Sequence, residues 1–413
     1  MRVWAFPWIY PYDRPGMKYS GIFVHRQYKG LIECGADLTV IIPVPWHPPY
    51  PLSQLHNEWK RYKELDFPNQ REYDGIKVYY PRIANMRPSR FVKKPYTERY
   101  IESIVNFFKN HNIKLDPATD IFYSQWLPGS ALVQLAAHKL GVKSAVSGIG
   151  DDIIVWPHDS KEAFCTFEKL LLVADLRIVN ADYLGKEMNK LTGRNLNYHV
   201  IYFGIDHAVF KPATTENIKA IRKEYNIPDN KVIVLTIGSA LKRKGWLDLF
   251  DALKEVKKEN DNFLLIGCYG EPSDIDIVAE VETRGLTSYF INVGEIKPEA
   301  LSGLYNTADI FCLPSHWEGL ATVISEAMAS GLPVITTDMC GHPEIIENNV
   351  TGVLIPAKQP VMLSKELLVL INSKEKRDYL GKNARDFIVD KFGSYIDNAA
   401  QLYKIMAALL LKK

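Results

Sequence analysis

Apolar residues along this chain fall into short, near-continuous runs separated by longer amphipathic stretches. In the first half these runs predict strands at Val3–Phe6, Leu38–Pro43, Lys77–Tyr80, Ile121–Tyr123, Ser144–Ser147, Arg177–Asn180 and His199–Tyr202. In the second half they predict strands at Lys231–Gly238, Phe263–Gly267, Phe290–Val293, Ile310–Leu313, Pro333–Thr336 and Gly352–Ile355. Continuous apolar runs, rather than strict alternation, suit parallel strands covered by helices on both faces. Strand–helix–strand order of this kind predicts right-handed βαβ units and an α/β fold of doubly wound sheets. Ligands in such sheets sit beyond the carboxyl ends of the strands.

The pattern also divides the chain. A tight Gly204-Ile205-Asp206 turn is followed by the polar segment KPATTENIKA, and a second strand series then opens at Lys231. The boundary therefore falls near Gly204, giving domains over 1–204 and 205–394. A last helix from about Tyr395 carries Ala399, Leu402, Tyr403, Met406, Leu409 and Leu410 at helical spacing. That helix, within 395–413, is expected to pack back on the first domain. The stretch VPWHPPYPLSQLHNEW, rich in proline and aromatics, reads as an irregular loop.

Composition adds bounds. The 413 residues suffice for two α/β domains of roughly 200 residues each. A formal charge of +2 excludes a whole-molecule field for nucleic acid. The charge is uneven: residues 1–200 hold 26 of the 50 Lys and Arg but only 20 of the 48 Asp and Glu. A modestly basic amino half fits an anionic or membrane-surface acceptor, although ordinary surface lysines give the same count. The interleaved Arg87, Arg90, Phe91, Lys93, Lys94, Tyr96 and Tyr100 allow the same membrane reading, with an amphipathic helix and its preceding loop as the simpler one. Five scattered cysteines form no Cys-x-x-Cys pair, which suits a reducing cytoplasm and supplies no metal framework. No signal-peptide core and no span of ~18 apolar residues is found, so a cytoplasmic protein, at most peripheral at the inner membrane face, is expected.

Candidate chemistry concentrates in ADIFCLPSHWEGLATVISEAMASGLPVITTDMCGHPEII. A buried strand ends at Pro314-Ser315, a loop carries Glu318-Gly319, and a helix is predicted from about Ala321 to Ser330 with Gly331 as its stop. Free N–H groups and the positive dipole end at that helix start make a phosphate site. Glu318 and Glu326 flank the same spot, and a carboxylate accepts paired hydrogen bonds from vicinal hydroxyls. Paired glutamates beside a phosphate site suggest a sugar nucleotide. Asp274-Ile275-Asp276 looks like a metal-binding Asp-x-Asp, but its place before a helix favours capping. His342, in the GHPE loop, is a candidate polar contact to the donor.

Glu318-x7-Glu326 with the following EAMASGLPVI and GHPEII resembles the signature of glycosyltransferase family 4. VIYFGIDHAVFKP, GSALKRKG, LLIGCYGE and the early SGIFVHRQYKGLIECGADLTVIIP resemble further segments of that family, in the right order, over most of residues 16–390. The resemblance implies a GT-B fold: two Rossmann-like domains with an interdomain cleft, an acceptor domain first and a donor domain second. It implies retaining transfer from a nucleoside-diphosphate sugar, of UDP or GDP type, to a saccharide or lipid-linked acceptor in surface polysaccharide or glycolipid synthesis. No metal or other cofactor is implied.

Carried over by position, the resemblance implies that Glu326 holds the donor ribose and Glu318 contacts the transferred sugar or diphosphate. Lys244 would neutralise the leaving diphosphate, aided by Gly238, Ser239 and Arg243 and by the backbone of Gly319, Leu320, Ala321 and Thr322. Asp152 would belong to the catalytic set, and Gly16 and Gly21 to a loop facing acceptor or phosphate. Two positions depart from the family. Ser239 stands where arginine is usual, and Ile149 where histidine often contacts the sugar. A nucleotide-sugar epimerase and a non-catalytic sugar-nucleotide binder remain open as alternatives.

Overall fold

A computed structural model describes residues 1–11, 21–46, 49, 51, 67–84, 95–127 and 132–412. Gly16 and the basic cluster from Arg87 to Lys94 lie outside the described residues. The chain divides into two compact units. The first comprises Met1–Tyr10, Val24–Tyr202 and Asn398–Lys413; the second comprises Pro11–Phe23 and Phe203–Asp397.

Among the described residues, ten strands belong to the first unit: β1 (Arg2–Pro7), β2 (Asp37–Ile41), β3 (Val44–Trp46), β4 (Gln70–Tyr73), β5 (Ile76–Tyr79), β6 (Arg82–Ala84), β7 (Asp120–Gln125), β8 (Lys143–Gly148), β9 (Leu176–Val179) and β10 (His199–Val200). Eight form one sheet in the order β10-β9-β8-β7-β1-β2-β5-β4, parallel except for the β4–β5 hairpin. β3 and β6 make a separate parallel pair. The chain leaves β1 (by helix α1, Ile22–Glu33) toward β2 and later returns on the other side of β1 at β7, so the strand order reverses between β1 and β7. The hydrophobic runs explain the sheet: β1 and β7 are buried almost end to end. The proline-rich stretch, expected to be irregular throughout, begins instead as β3, which Val44 anchors by burial.

The second unit carries β11 (Val232–Ile237), β12 (Phe263–Cys268), β13 (Phe290–Asn292), β14 (Ile310–Leu313), β15 (Val334–Thr337) and β16 (Val353–Ile355). Their order, β13-β12-β11-β14-β15-β16, is all parallel and is the dinucleotide-fold order 3-2-1-4-5-6. Its switch point lies between β11 and β14. Helices cover the sheet, among them α2 (Trp246–Glu259), α3 (Pro298–Thr307) and α4 (Thr322–Ala329). Trp246, Phe250 and Leu253 of α2 pack with Leu363, Leu367 and Leu370 and with strand residues Val234, Phe263 and Leu265 in one core. Each such side chain gains about 1.5–3 kcal/mol by leaving water. The last helix, α5 (Tyr395–Leu411), buries Ala399, Leu402 and Met406 of the predicted face.

Candidate functional site

Three loops at the carboxyl ends of β11, β14 and β15 converge in the second unit. The first follows β11. The Gly238 amide donates to the Cys268 carbonyl, and Trp246 Nε1 donates to the Ser239 carbonyl at 3.0 Å, fixing the chain before the short turn Lys242–Lys244. Gly245 then adopts φ 75°, and a Cβ there would meet the Pro314 carbonyl of the neighbouring loop. Only glycine combines that backbone angle with that approach. Gly245→Ala should therefore cost about 1–3 kcal/mol or more and push the two loops apart. A lowered unfolding midpoint together with weakened nucleotide binding would register both effects, and an unchanged midpoint would refute the packing account.

The second loop follows β14. The His316 amide donates to the Arg243 carbonyl at 2.7 Å, and His316 Nε2 lies 2.7 Å from Asp248 Oδ2 on α2. The third loop joins through Thr337 Oγ1, which donates to the Ser315 carbonyl at 2.6 Å, and through the Gly341 amide, which donates to the Gly319 carbonyl at 3.1 Å. These bonds fix Glu318. Its Oε1 takes an ion pair from Lys244, a second from Arg243 Nη1 at 3.3 Å, and a hydrogen bond from Ser315 Oγ at 3.3 Å. Burial alone would raise the Glu318 carboxyl, but Lys244 and Arg243 outweigh it and hold the group below the usual carboxylate range. The result is a largely buried cluster of two cations and one anion, with net positive charge.

Helix α4 begins after this loop. Ala321 is its N-cap in an extended conformation, with no side chain capping the first amides. Its end matches the sequence expectation: Ser330 closes it and Gly331 follows at φ 82°. Gly319, Leu320 and Ala321 are buried ahead of the helix, and Thr322 opens it. Glu326 is buried on α4, and its Oε2 accepts a 3.0 Å hydrogen bond from Tyr305 of α3. No spacing along the chain announces that pair, because 21 residues and a strand separate its members. His342 is fully buried. Burial lowers its pKa, and Nδ1 lies 3.0 Å from the Thr337 carbonyl, so the neutral ring donates there and presents Nε2 as an acceptor. Nε2 has no partner among the described residues.

Beside these loops lies a cavity of about 290 Å³ lined by Gly238, Ser239, Tyr269, Glu271, Glu295 and Val323, among others. Gly21, in the 11–23 segment of the same compact unit, also lines it. Asp276 caps the helix Ile277–Thr283 by accepting from the Ala279 amide, and Asp274 accepts from the Lys242 amide. Asp152 lies elsewhere, in the first unit, fully buried. Its carboxylate accepts from the amides of Leu127, Ile149 and Gly150 at 3.2, 3.0 and 2.7 Å. The structure thus brings Gly238, Ser239, Arg243, Lys244, Glu318 and Glu326 to the loop end of one sheet, and places Asp152 at the strand ends of the other.

Residues 217–387 match the family model described as glycosyl transferases group 1. The chain is 25% identical over 344 residues to the putative teichuronic acid biosynthesis glycosyltransferase TuaC of Bacillus subtilis, covering 83% of this chain and 82% of that one. It is 29% identical over 240 residues to the capsular polysaccharide biosynthesis glycosyltransferase CapM of Staphylococcus aureus, covering 56% of this chain and 60% of that one. Among solved structures, sucrose-phosphate synthase from Thermosynechococcus elongatus superposes over the whole of both chains, with a TM-score of 0.77 and 17% identity. Anabaena Alr3699/HepE, solved in complex with UDP, aligns over 99% of this chain and 100% of its own, with a TM-score of 0.74 and 18% identity. These two likenesses establish the GT-B fold. With that fold, and with the group 1 match spanning the residues from Gly238 to Glu326, the chain is a glycosyltransferase.

Proposed function

We propose that the protein is a retaining glycosyltransferase of family 4 that moves a hexose-type sugar from a UDP- or GDP-sugar to an acceptor hydroxyl in surface polysaccharide synthesis. The observation that carries this reading is the Lys244–Arg243–Glu318 cluster at the switch point of the second sheet. Two fixed cations there meet the charge that develops as the diphosphate leaves, and preorganised charge in a water-poor site stabilises a transition state more than water can. The amides of Thr322 and Val323 opening α4, which no side chain caps, extend the same site. In the reaction, the bond from the sugar C1 to the phosphate oxygen breaks and a bond from C1 to the acceptor oxygen forms. The acceptor proton passes to the departing phosphate, so no covalent nucleophile and no metal are called for.

The names of the two relatives support a polysaccharide acceptor, and HepE's complexes with UDP and UDP-glucose support a uridine donor. No helix among the described residues is long and apolar enough to cross a membrane. We place the reaction in the cytoplasm, on saccharide or lipid-linked acceptors reached at the inner face of the membrane.

Thermal unfolding against UDP, GDP, ADP, dTDP and their common sugars tests the donor. A ligand at 100 times its dissociation constant adds about 2.7 kcal/mol, a midpoint rise of a few degrees. A selective rise with UDP or GDP is expected, and no rise with any nucleotide would overturn the reading. Glu326 is assigned to the donor ribose, with Tyr305 orienting it. Tyr305→Phe removes one buried hydrogen bond and should weaken the sugar nucleotide by about 1 kcal/mol, or roughly fivefold. Equal affinity in a calorimetric titration would detach Glu326 from the donor.

A further inference from the structure

We propose that Trp8 and Trp126 form the floor of an acceptor subsite for a neutral, hydroxyl-rich oligosaccharide. The inference rests on the glycosyltransferase reading and adds the chemistry of the acceptor. Trp8 follows β1 and Trp126 follows β7, the two neighbouring strands between which the order of the first sheet reverses. That reversal is where open α/β sheets hold their ligands. The Trp8 amide donates to the Gln125 carbonyl at 3.3 Å and the Trp126 amide to the Ser147 carbonyl at 2.9 Å, so each ring is set by the strand beside it. The rings meet edge to face, with centroids 5.6 Å apart and planes at 81°.

Isolated exposed apolar residues are common and mean little. This pair differs in two respects. Trp8 is 54% exposed although it directly follows a fully buried strand end. Trp126 holds φ 73°, a left-handed conformation that costs a bulky side chain about 1–3 kcal/mol and collects at ligand sites. Asp152 helps maintain it by holding the next amide, that of Leu127.

The surroundings choose the ligand class. On β7, the strand that Trp126 follows, Tyr123 Oη and Gln125 Nε2 both donate to Gln27 Oε1, at 2.9 and 2.8 Å, in a buried group of uncharged side chains. Asn180, the first residue after β9, is 3% exposed, and its Oδ1 has no partner among the described residues. The strand-end segments Trp8–Tyr10, Trp126–Leu127, Ile149–Asp152 and Asn180–Asp182 contain no lysine or arginine and three aspartates. Among the described residues of these segments, a phosphate or anionic lipid headgroup finds no countercharge. A pyranose does fit: its C–H face lies against an indole face while its hydroxyls reach amide and carboxylate oxygens.

The test uses the full chain and its Trp8→Ala and Trp8→Phe variants on an array of neutral and acidic oligosaccharides. It is run beside phosphatidylglycerol vesicles and a UDP and GDP thermal shift on the same samples. Wild type should bind neutral oligosaccharides. Trp8→Ala should weaken the best of them about tenfold, as removal of an aromatic anchor does. Trp8→Phe should stay within about threefold, since a stacking face remains. The nucleotide shift should be equal in all three. Oligosaccharide binding that Trp8→Ala leaves unchanged, binding to vesicles alone, or no oligosaccharide bound at all would each overturn the subsite. The nucleotide shift reports separately on the glycosyltransferase reading, so the two failures are distinguishable.

Discussion

Lys244→Ala is expected to lower kcat by about 10²–10³, the usual loss when one preorganised donor to a developing anion is removed. Lys244 sits on the short turn after β11, its chain close to Gly238 and its Nζ paired with Glu318. A cation held so needs no reorganisation when the diphosphate leaves, and alanine there leaves the charge to Arg243 alone. The same change removes the larger of two cationic influences on a buried carboxylate. Breaking a buried pair outright costs about 3–5 kcal/mol. Here Arg243 and Ser315 still hold Glu318, so a loss below about 3 kcal/mol is expected. Glu318 has a depressed pKa in the folded chain, so its contribution is present above the unfolded value and lost as pH falls through the folded one. In the variant that loss should begin at a higher pH. Steady-state kinetics with the donor found by thermal shift, beside acid unfolding, checks both. A kcat within threefold of wild type would remove Lys244 from the reaction.

The sequence was most legible where structure follows from local pattern. Each of the thirteen predicted runs became a strand, most plainly β7, β12 and β14, where a parallel strand buried on both faces must be apolar throughout. The strands not foreseen are β3, β4 and β6. β4, Gln70–Tyr73, is a polar edge strand with alternately exposed residues, and no burial demands apolar side chains there. Its hairpin was still readable, since Asp74-Gly75 at φ 47° and 77° is the turn that pairs with β5. Gly238, Lys244, Glu318 and Glu326 could be singled out because each lies in a short segment that resembles the family's, and the structure brings them to the loop end of one sheet. Tyr305 and Asp248 could not. Their pairing with Glu326 and His316 depends on how α3 and α2 pack, and no spacing along the chain encodes it. Asp152 stood out by position, but its burial and its three amide donors follow only from the loops that close over it.

Those amides set the second large effect. Asp152→Ala should destabilise the first unit by about 3 kcal/mol at neutral pH. Three N–H groups left without an acceptor, those of Leu127 and Gly150 buried and that of Ile149 half-buried, cost about 1–3 kcal/mol each, roughly 6 in all. Against this, the variant no longer buries a carboxylate. Burial pushes the Asp152 carboxyl up from 3.8 to about 6 despite the amides of Ile149, Gly150 and Leu127, a gap worth roughly 3 kcal/mol. The sign of the pH effect follows. With the folded pKa above the unfolded one, the native state binds the proton more tightly between pH 3.8 and about 6. Stability from this group is therefore full below that window and lost as pH rises through it. Asp152→Asn, which cannot ionise, lacks this dependence. The stability difference between wild type and Asp152→Asn should drift by up to about 3 kcal/mol from pH 4 to pH 7, wild type losing ground as pH rises. Urea unfolding of both proteins across that range measures it. A constant difference would mean that Asp152 ionises at no cost, its three amide donors fully offsetting burial. The expected drift would instead make it a positioning residue, holding Trp126 and the ends of β7 and β8 for whatever binds above them.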